Sequence, residues 1–184
     1  MIRWLKRGAF ALLILVVLAF GIGWWLMRGS LATLDGTVSL PGLLAPVEIE
    51  RDNLGVVTIH AANEIDAMRA LGYVHAQDRF FEMDLMRRSA AGELSELFGK
   101  IALDVDKQHR VHRFRARALD NLLEIAGDKM PQLQAYTDGV NAGLADLRVR
   151  PWPYLLLQSK PEPWQLEDSA LAGDAMFFEV QGGT

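Results

Sequence analysis

Four histidines and a set of closely spaced carboxylates are the residues able to do chemistry in this 184-residue chain. His109 and His112 lie three apart with Asp106 one turn earlier, which on a helix would set three metal ligands on one side. Lys107, Arg110, Arg113, Arg115 and Arg117 surround them and would repel a dication, so the plainer reading is a solvated basic face, with an anion patch as a third. From His75 to Arg88 charges recur at i+3 and i+4, so that Asp84 reaches Arg87 or Arg88 along a helix as a structural pair. No hydroxyl or thiol nucleophile stands within local reach of a histidine there. His60 ends a β-branched run and reads as a satisfied polar residue rather than a base. The strings G-x-S-x-G, S-x-x-K and H-E-x-x-H, a Walker A loop and an EF-hand loop do not occur in the sequence. Phe177 and Phe178 beside Met176 fit core packing, with ligand lining as the alternative.

The scaffold that must position these residues is mainly helical with a short β segment at its start. Val47, Ile49 and Arg51 alternate with Glu48 and Glu50, residues 52–55 make a turn, and residues 56–60 are largely β-branched, which predicts a hairpin. Asn63 followed by Asp66 marks a helix start near Glu64, with Ile65, Met68 and Leu71 at helical spacing. Gly72 predicts a break or a close contact, before a second helical stretch over 75–89 that buries Phe80 and Met83. Leu94, Leu97 and Phe98 form a turn of helix between Gly92 and Gly99. One helix is then expected over 104–126, with Val105, Val111, Phe114, Ala118, Leu122 and Ile125 as its stripe. Pro131 opens another helix, whose Gly139 and Gly143 predict a closely approaching neighbour. Residues 148–164 hold four prolines and two tryptophans and are expected to wrap the surface without helix. A last helix begins near Leu166.

Composition sets the outer bounds. With 51% apolar and 23% charged residues and no cysteine, the chain is not disordered, collagenous or a disulfide scaffold. The missing cysteines fit either redox compartment. Much of the apolar excess sits in residues 8–27, which carry no charge; twenty helical residues span about 30 Å, the thickness of a bilayer core. Arg3, Lys6 and Arg7 precede this run and only Arg28 follows closely, so the positive-inside bias keeps the N-terminus in the cytoplasm and sends the rest outward. Trp24 and Trp25 suit the outer interfacial belt. An uncleaved anchor and a cleaved signal peptide, with Ser30-Leu31-Ala32 as the small-x-small site, both fit. Beyond those three residues the chain has 16 basic against 23 acidic residues, a net charge of −7, which argues against nucleic acid as a partner. The division expected is a membrane segment over 1–27, a tether over 28–46 and a folded domain over 47–184.

Several ordered stretches carry a resemblance. They are VEIERDNLGVVTIH at 47–60, ALGYVHAQDRFFEMD at 70–84, RRSAAGELSELFG at 87–99, YTDGVNA at 136–142 and EPW at 162–164. Together they resemble the penicillin acylase family, from about residue 40 to Thr184. The resemblance implies an N-terminal-nucleophile amidohydrolase with an αββα sandwich, made as a precursor that cuts itself into a smaller α chain and a larger β chain. This sequence would be the α portion. The nucleophile, usually serine, would be the first residue of the β chain, its own α-amino group the base, so no catalytic residue is expected here. The resemblance also moves Phe177 and Phe178 toward lining the acyl pocket, Phe177 the stronger of the two. It implies a structural calcium in the full-length enzyme, with Glu179 the nearest carboxylate but the true ligand beyond this sequence, and no metal in this portion.

Two functions of different class follow. One is the α part of a periplasmic, membrane-anchored or exported acylase acting on penicillins, acyl-homoserine lactones or other N-acyl compounds, inactive without its β chain. A gene fragment or truncated product is expected on this reading, and residues 47–184 expressed alone should aggregate. The other is a non-catalytic, membrane-tethered helical interaction module, which predicts a monodisperse soluble part.

Overall fold

The computed structural model describes residues 2–181. A single helix, α1 (Ile2–Gly29), leads the chain; its apolar stretch Lys6–Gly29 is long enough to cross a membrane, and its most apolar window is not buried against the rest of the protein. The following segment is not free. Thr33 donates its backbone N–H to Gln77 Oε1 at 3.1 Å, and Leu44 and Ala45 donate theirs to the Asp66 carboxylate at 2.9 and 3.0 Å. The expected tether is thus laid along the body.

The hairpin forms as its alternation demands. Strand β1 (Glu48–Arg51) pairs antiparallel with β2 (Val57–His60), Glu48 opposite His60 and Ile49 opposite Ile59. Asp52 Oδ1 closes the turn by accepting from the N–H groups of Leu54 and Val56, both at 2.8 Å.

The long helix α2 (Glu64–Ala91) starts at Asn63, whose side chain accepts the Asp66 N–H at 2.8 Å, and ends at Gly92 in the left-handed region at φ 69°. Its one irregularity is at Arg79 (φ −147°, ψ 28°), not at Gly72. Of the two outcomes expected at Gly72, the close contact is the one found. A Cβ there would lie 2.2 Å from the Tyr136 carbonyl oxygen, in a helix running over Met130–Asp146. Gly139 and Gly143 on that helix meet the Arg69 and Tyr73 carbonyls in the same way. Three glycines therefore let two backbones touch, and the core of Ala76, Phe80, Met83, Val140, Tyr154 and Trp164 gathers around that seam.

Between these long helices the chain runs through α3 (Ser95–Phe98), a 3-10 turn (Gly99–Ala102), α4 (Leu103–Arg110), α5 (Phe114–Asp120) and α6 (Leu122–Ala126); the Met130–Asp146 helix is α7. The single helix expected over 104–126 is corrected by this. Arg113 adopts φ 55° and turns the chain, so Val111 is 73% exposed while Ala118 is buried. The expectation of no helix between 148 and 164 is also corrected, because α8 (Trp152–Leu156) forms with Pro153 in its first turn, where no intrahelical N–H partner exists to be lost. The last helix, α9 (Asp168–Gln181), packs Leu171 and Ala175 against Ala90 of α2.

Candidate functional site: the aromatic end of the last helix

Helix α9 is locked at its start and carries its aromatic residues at its other end. The lock is ionic and buried. Asp84 Oδ1 accepts from Arg87 Nε at 2.7 Å and Arg88 Nε at 2.9 Å, and Asp84 Oδ2 accepts from the Tyr154 hydroxyl at 2.6 Å. Arg87 then reaches Asp168 at 2.5 Å and the carbonyls of Pro163 and Glu162 at 2.9 and 3.1 Å. Asp168 takes a further bond from Arg115 at 3.0 Å, and Arg115 also clamps Glu93 at 2.8 and 2.7 Å. Arg88 pairs with Glu96 and Glu162. Burial works to lower the Arg115 pKa, and the bonds to Glu93 and Asp168 more than offset it, leaving it raised. Burial, and then the Asp84 charge, raise the Tyr154 hydroxyl, so it stays a donor. The i+3 and i+4 pairing expected of Asp84 is present. Local spacing could not show that the same groups tie α2 to α5, α8 and α9.

At the far end, Phe178 lies against three rings from earlier in the chain. His109 stacks on it with centroids 5.1 Å apart and planes at 16°, His112 tilts at 5.1 Å, and Phe114 meets it edge-on at 5.2 Å. His109 is held by a contact of its Nδ1 with the Ser89 carbonyl at 2.5 Å. Asp106 is turned away, accepting the N–H groups of Leu94 and Ser95 at 2.8 and 2.7 Å. Of the readings open for Asp106, His109 and His112, the structure shows a structural use: Asp106 caps α3 and the imidazoles form an aromatic wall. Phe177 points outward and is 58% exposed, while Phe178 is half-buried in the cluster. Glu179 falls on α9, but its side chain lies outside the described residues. Beside the cluster a groove of about 650 Å³ runs between α9 and the α5–α6 segment, bordered by Phe114, Asn121, Ile125, Gly173 and Asp174. Burial pushes the Asp174 carboxyl up.

The remaining histidines form no nucleophile–base pair. His75 Nδ1 lies 2.9 Å from the Tyr136 hydroxyl, its pKa lowered by burial and then by the Arg79 charge, while burial pushes Tyr136 up to about 12. His60 is exposed on the hairpin, 3.5 Å from Glu50. Among the described residues no histidine nitrogen bonds a serine or threonine hydroxyl, and no three metal-ligating side chains converge. The arrangement can bind apolar groups.

Comparison with known proteins places this helical, glycine-seamed fold among the acylases. The penicillin amidase family model matches residues 46–184, and the chain belongs to that family. It is 41% identical over 139 residues to the penicillin acylase 2 proenzyme of a Pseudomonas species, covering 76% of this chain and 18% of that protein. It is 38% identical over 144 residues to the acyl-homoserine lactone acylase QuiP of Pseudomonas aeruginosa, covering 77% of this chain and 17% of the relative. The solved structure of a thermostable penicillin G acylase from Alcaligenes faecalis superposes with a TM-score of 0.65 at 28% identity, over 76% of this chain and 75% of that one. The chain spans about a fifth of the length of the curated relatives it matches (18% of each of the first two).

Proposed function

We propose that this chain is the α portion of an extracytoplasmic amidohydrolase that cleaves the amide bond of N-acyl compounds of the penicillin or acyl-homoserine-lactone type. On this reading it completes the αββα sandwich of an N-terminal-nucleophile hydrolase with the β chain of the same precursor, and α1 anchors it in the inner membrane or directs its export. The nucleophile is the β chain's first residue, so this chain contributes shape and apolar contact. Phe177 and Phe178 line the acyl pocket.

One observation carries the reading. The α4–α6 segment and α9, which pack on each other, present Val111, Leu119, Leu123, Ile125, Phe177 and Val180 to solvent, although the same helices have a well-satisfied ionic interior. Each such side chain forgoes about 1.5–3 kcal/mol until something covers it. A wrapping chain that lies on a larger catalytic partner accounts for a sound interior beneath an apolar exterior. The likeness to penicillin G acylase over three-quarters of that solved chain supports the same assignment. On this reading a structural calcium would be held by the full-length enzyme; among the described residues no three metal-ligating side chains converge.

The test is expression of the full-length precursor. The expected result is self-cleavage into two chains, a β chain beginning with serine, and hydrolysis of an N-acyl amide that the 184-residue chain alone does not perform. Cooperative unfolding of residues 47–184 as a soluble monomer would instead favour the interaction module.

A further inference from the structure

The junction between α1 and the body is built rather than loose. The Gly29 carbonyl accepts the Val149 N–H at 3.0 Å, and a Cβ on Gly29 would lie 2.6 Å from Val149 Cγ2, so a larger residue would have to push the valine side chain aside. Ser30 is buried immediately afterwards, and Thr33 is tied to Gln77. A free segment of this length would let the body wander on the order of 20 Å from its anchor. The observed ties leave it no such reach. The apolar window of α1 is not buried against the protein, so the surface around its base is the part of the body nearest to any bilayer that α1 crosses. Around that base lies a cleft of about 800 Å³ bordered by Arg28, Leu31, Leu34, Arg148 and Trp152, whose lining also carries Asp35, Asp78, Glu82 and Asp146. Leu31, Leu34 and Trp152 are exposed at 62%, 66% and 48%. Tryptophan, arginine and leucine around a spanning helix are the residues that settle at the lipid headgroup level.

We propose that this face of the body rests in the headgroup zone of the membrane that α1 crosses, seated by the Gly29–Val149 contact, so that the body is held in one orientation on the bilayer. The proposal rests on the anchor reading of α1. Its occupant is the phospholipid surface, by continuity with the span.

The absence of cysteine from the sequence makes the test direct. Single-cysteine variants of the full chain, Ile14→Cys, Leu34→Cys, Trp152→Cys and Leu54→Cys, are spin-labelled in phosphatidylethanolamine–phosphatidylglycerol vesicles. Collision with oxygen and with an aqueous nickel chelate is then compared. Position 14 should be oxygen-dominated, 54 nickel-dominated, and 34 and 152 intermediate, with nickel collision several-fold below that at 54. Adding Gly29→Val should return 34 and 152 toward the values at 54. If 34 and 152 match 54 while 14 stays in hydrocarbon, the proposal fails and the anchor stands; a nickel-exposed position 14 overturns both. No response to Gly29→Val also overturns it.

Discussion

The Tyr154 hydroxyl donates a 2.6 Å hydrogen bond to Asp84 Oδ2, and both residues are fully buried although seventy positions separate them. The bond joins α8 to the C-terminal third of α2 at the point where Asp84 also holds two arginines. Tyr154→Phe keeps the ring packing and removes one bond to a charged acceptor, so it should cost about 1.5–3 kcal/mol. Asp84→Ala should cost more, about 3–5 kcal/mol, because it leaves two buried guanidinium groups without their shared carboxylate. Denaturant midpoints of the full chain in detergent would rank the two; equal costs would mean that the carboxylate is not the hub.

The glycine seam between α2 and α7 gives a prediction with an internal control. Gly139→Ala would put a Cβ 2.0 Å from the Arg69 carbonyl oxygen, a backbone atom that cannot step aside. The helices must separate, at about 1–3 kcal/mol or more. Gly173→Ala lies on α9 with nothing within 4 Å of the new Cβ, so helix propensity alone should act and stabilise by about 0.5–1 kcal/mol. Opposite shifts in thermal midpoint are expected from the same chemical change.

Two buried carboxylates set the acid limit. Donation from the Leu44 N–H chiefly holds Asp66 below the usual carboxylate range. For Asp106 burial works upward, and the Ser95 and Leu94 donors more than offset it, leaving it lowered as well. A depressed folded pKa contributes stability that is present above the unfolded value and lost as pH falls through the folded one. Stability should therefore hold above about pH 4 and decline below it. Asp66→Asn should flatten part of that decline, because an amide titrates nothing; urea midpoints across the acid range would show whether it does.

What could be read from the sequence followed from local rules. The Asn63 cap, the hairpin pattern at 47–60, the Asp84 pairing with Arg87 and Arg88 and the tight approach at Gly139 and Gly143 each depend on residues a few positions apart. The misreadings share a physical cause in tertiary packing. Residues 104–126 have a continuous helical stripe, but the chain turns at Arg113 so that Phe114 and Ala118 face α9, and propensity yields to that contact. Prolines 151 and 153 argued against helix until their place at a helix start removed the objection. His109, His112 and Phe114 were illegible as partners of Phe178, since the more than sixty residues between them carry no periodic signal that would pair them.

Phe177 and Phe178 are adjacent, and the structure gives them different tasks. Phe178 stacks against His109, His112 and Phe114, so Phe178→Ala should open a gap between α9 and the α4–α5 turn and cost about 3 kcal/mol or somewhat less for its partial burial. Phe177 touches little beyond Phe178 and is exposed, so Phe177→Ala should leave stability within about 0.5 kcal/mol. In the assembled two-chain enzyme the order should reverse for binding. If Phe177 meets the acyl group there, its truncation raises KM for long or aromatic acyl substrates and leaves short ones little changed. Phe178→Ala should chiefly lower the yield of correctly assembled enzyme, with a smaller rise in KM in the fraction that forms. Steady-state kinetics on a short and a long acyl substrate, with active enzyme titrated in each preparation, separate the two. A KM that ignores Phe177→Ala for every acyl length would remove this residue from the pocket and leave it as part of the surface that the β chain covers.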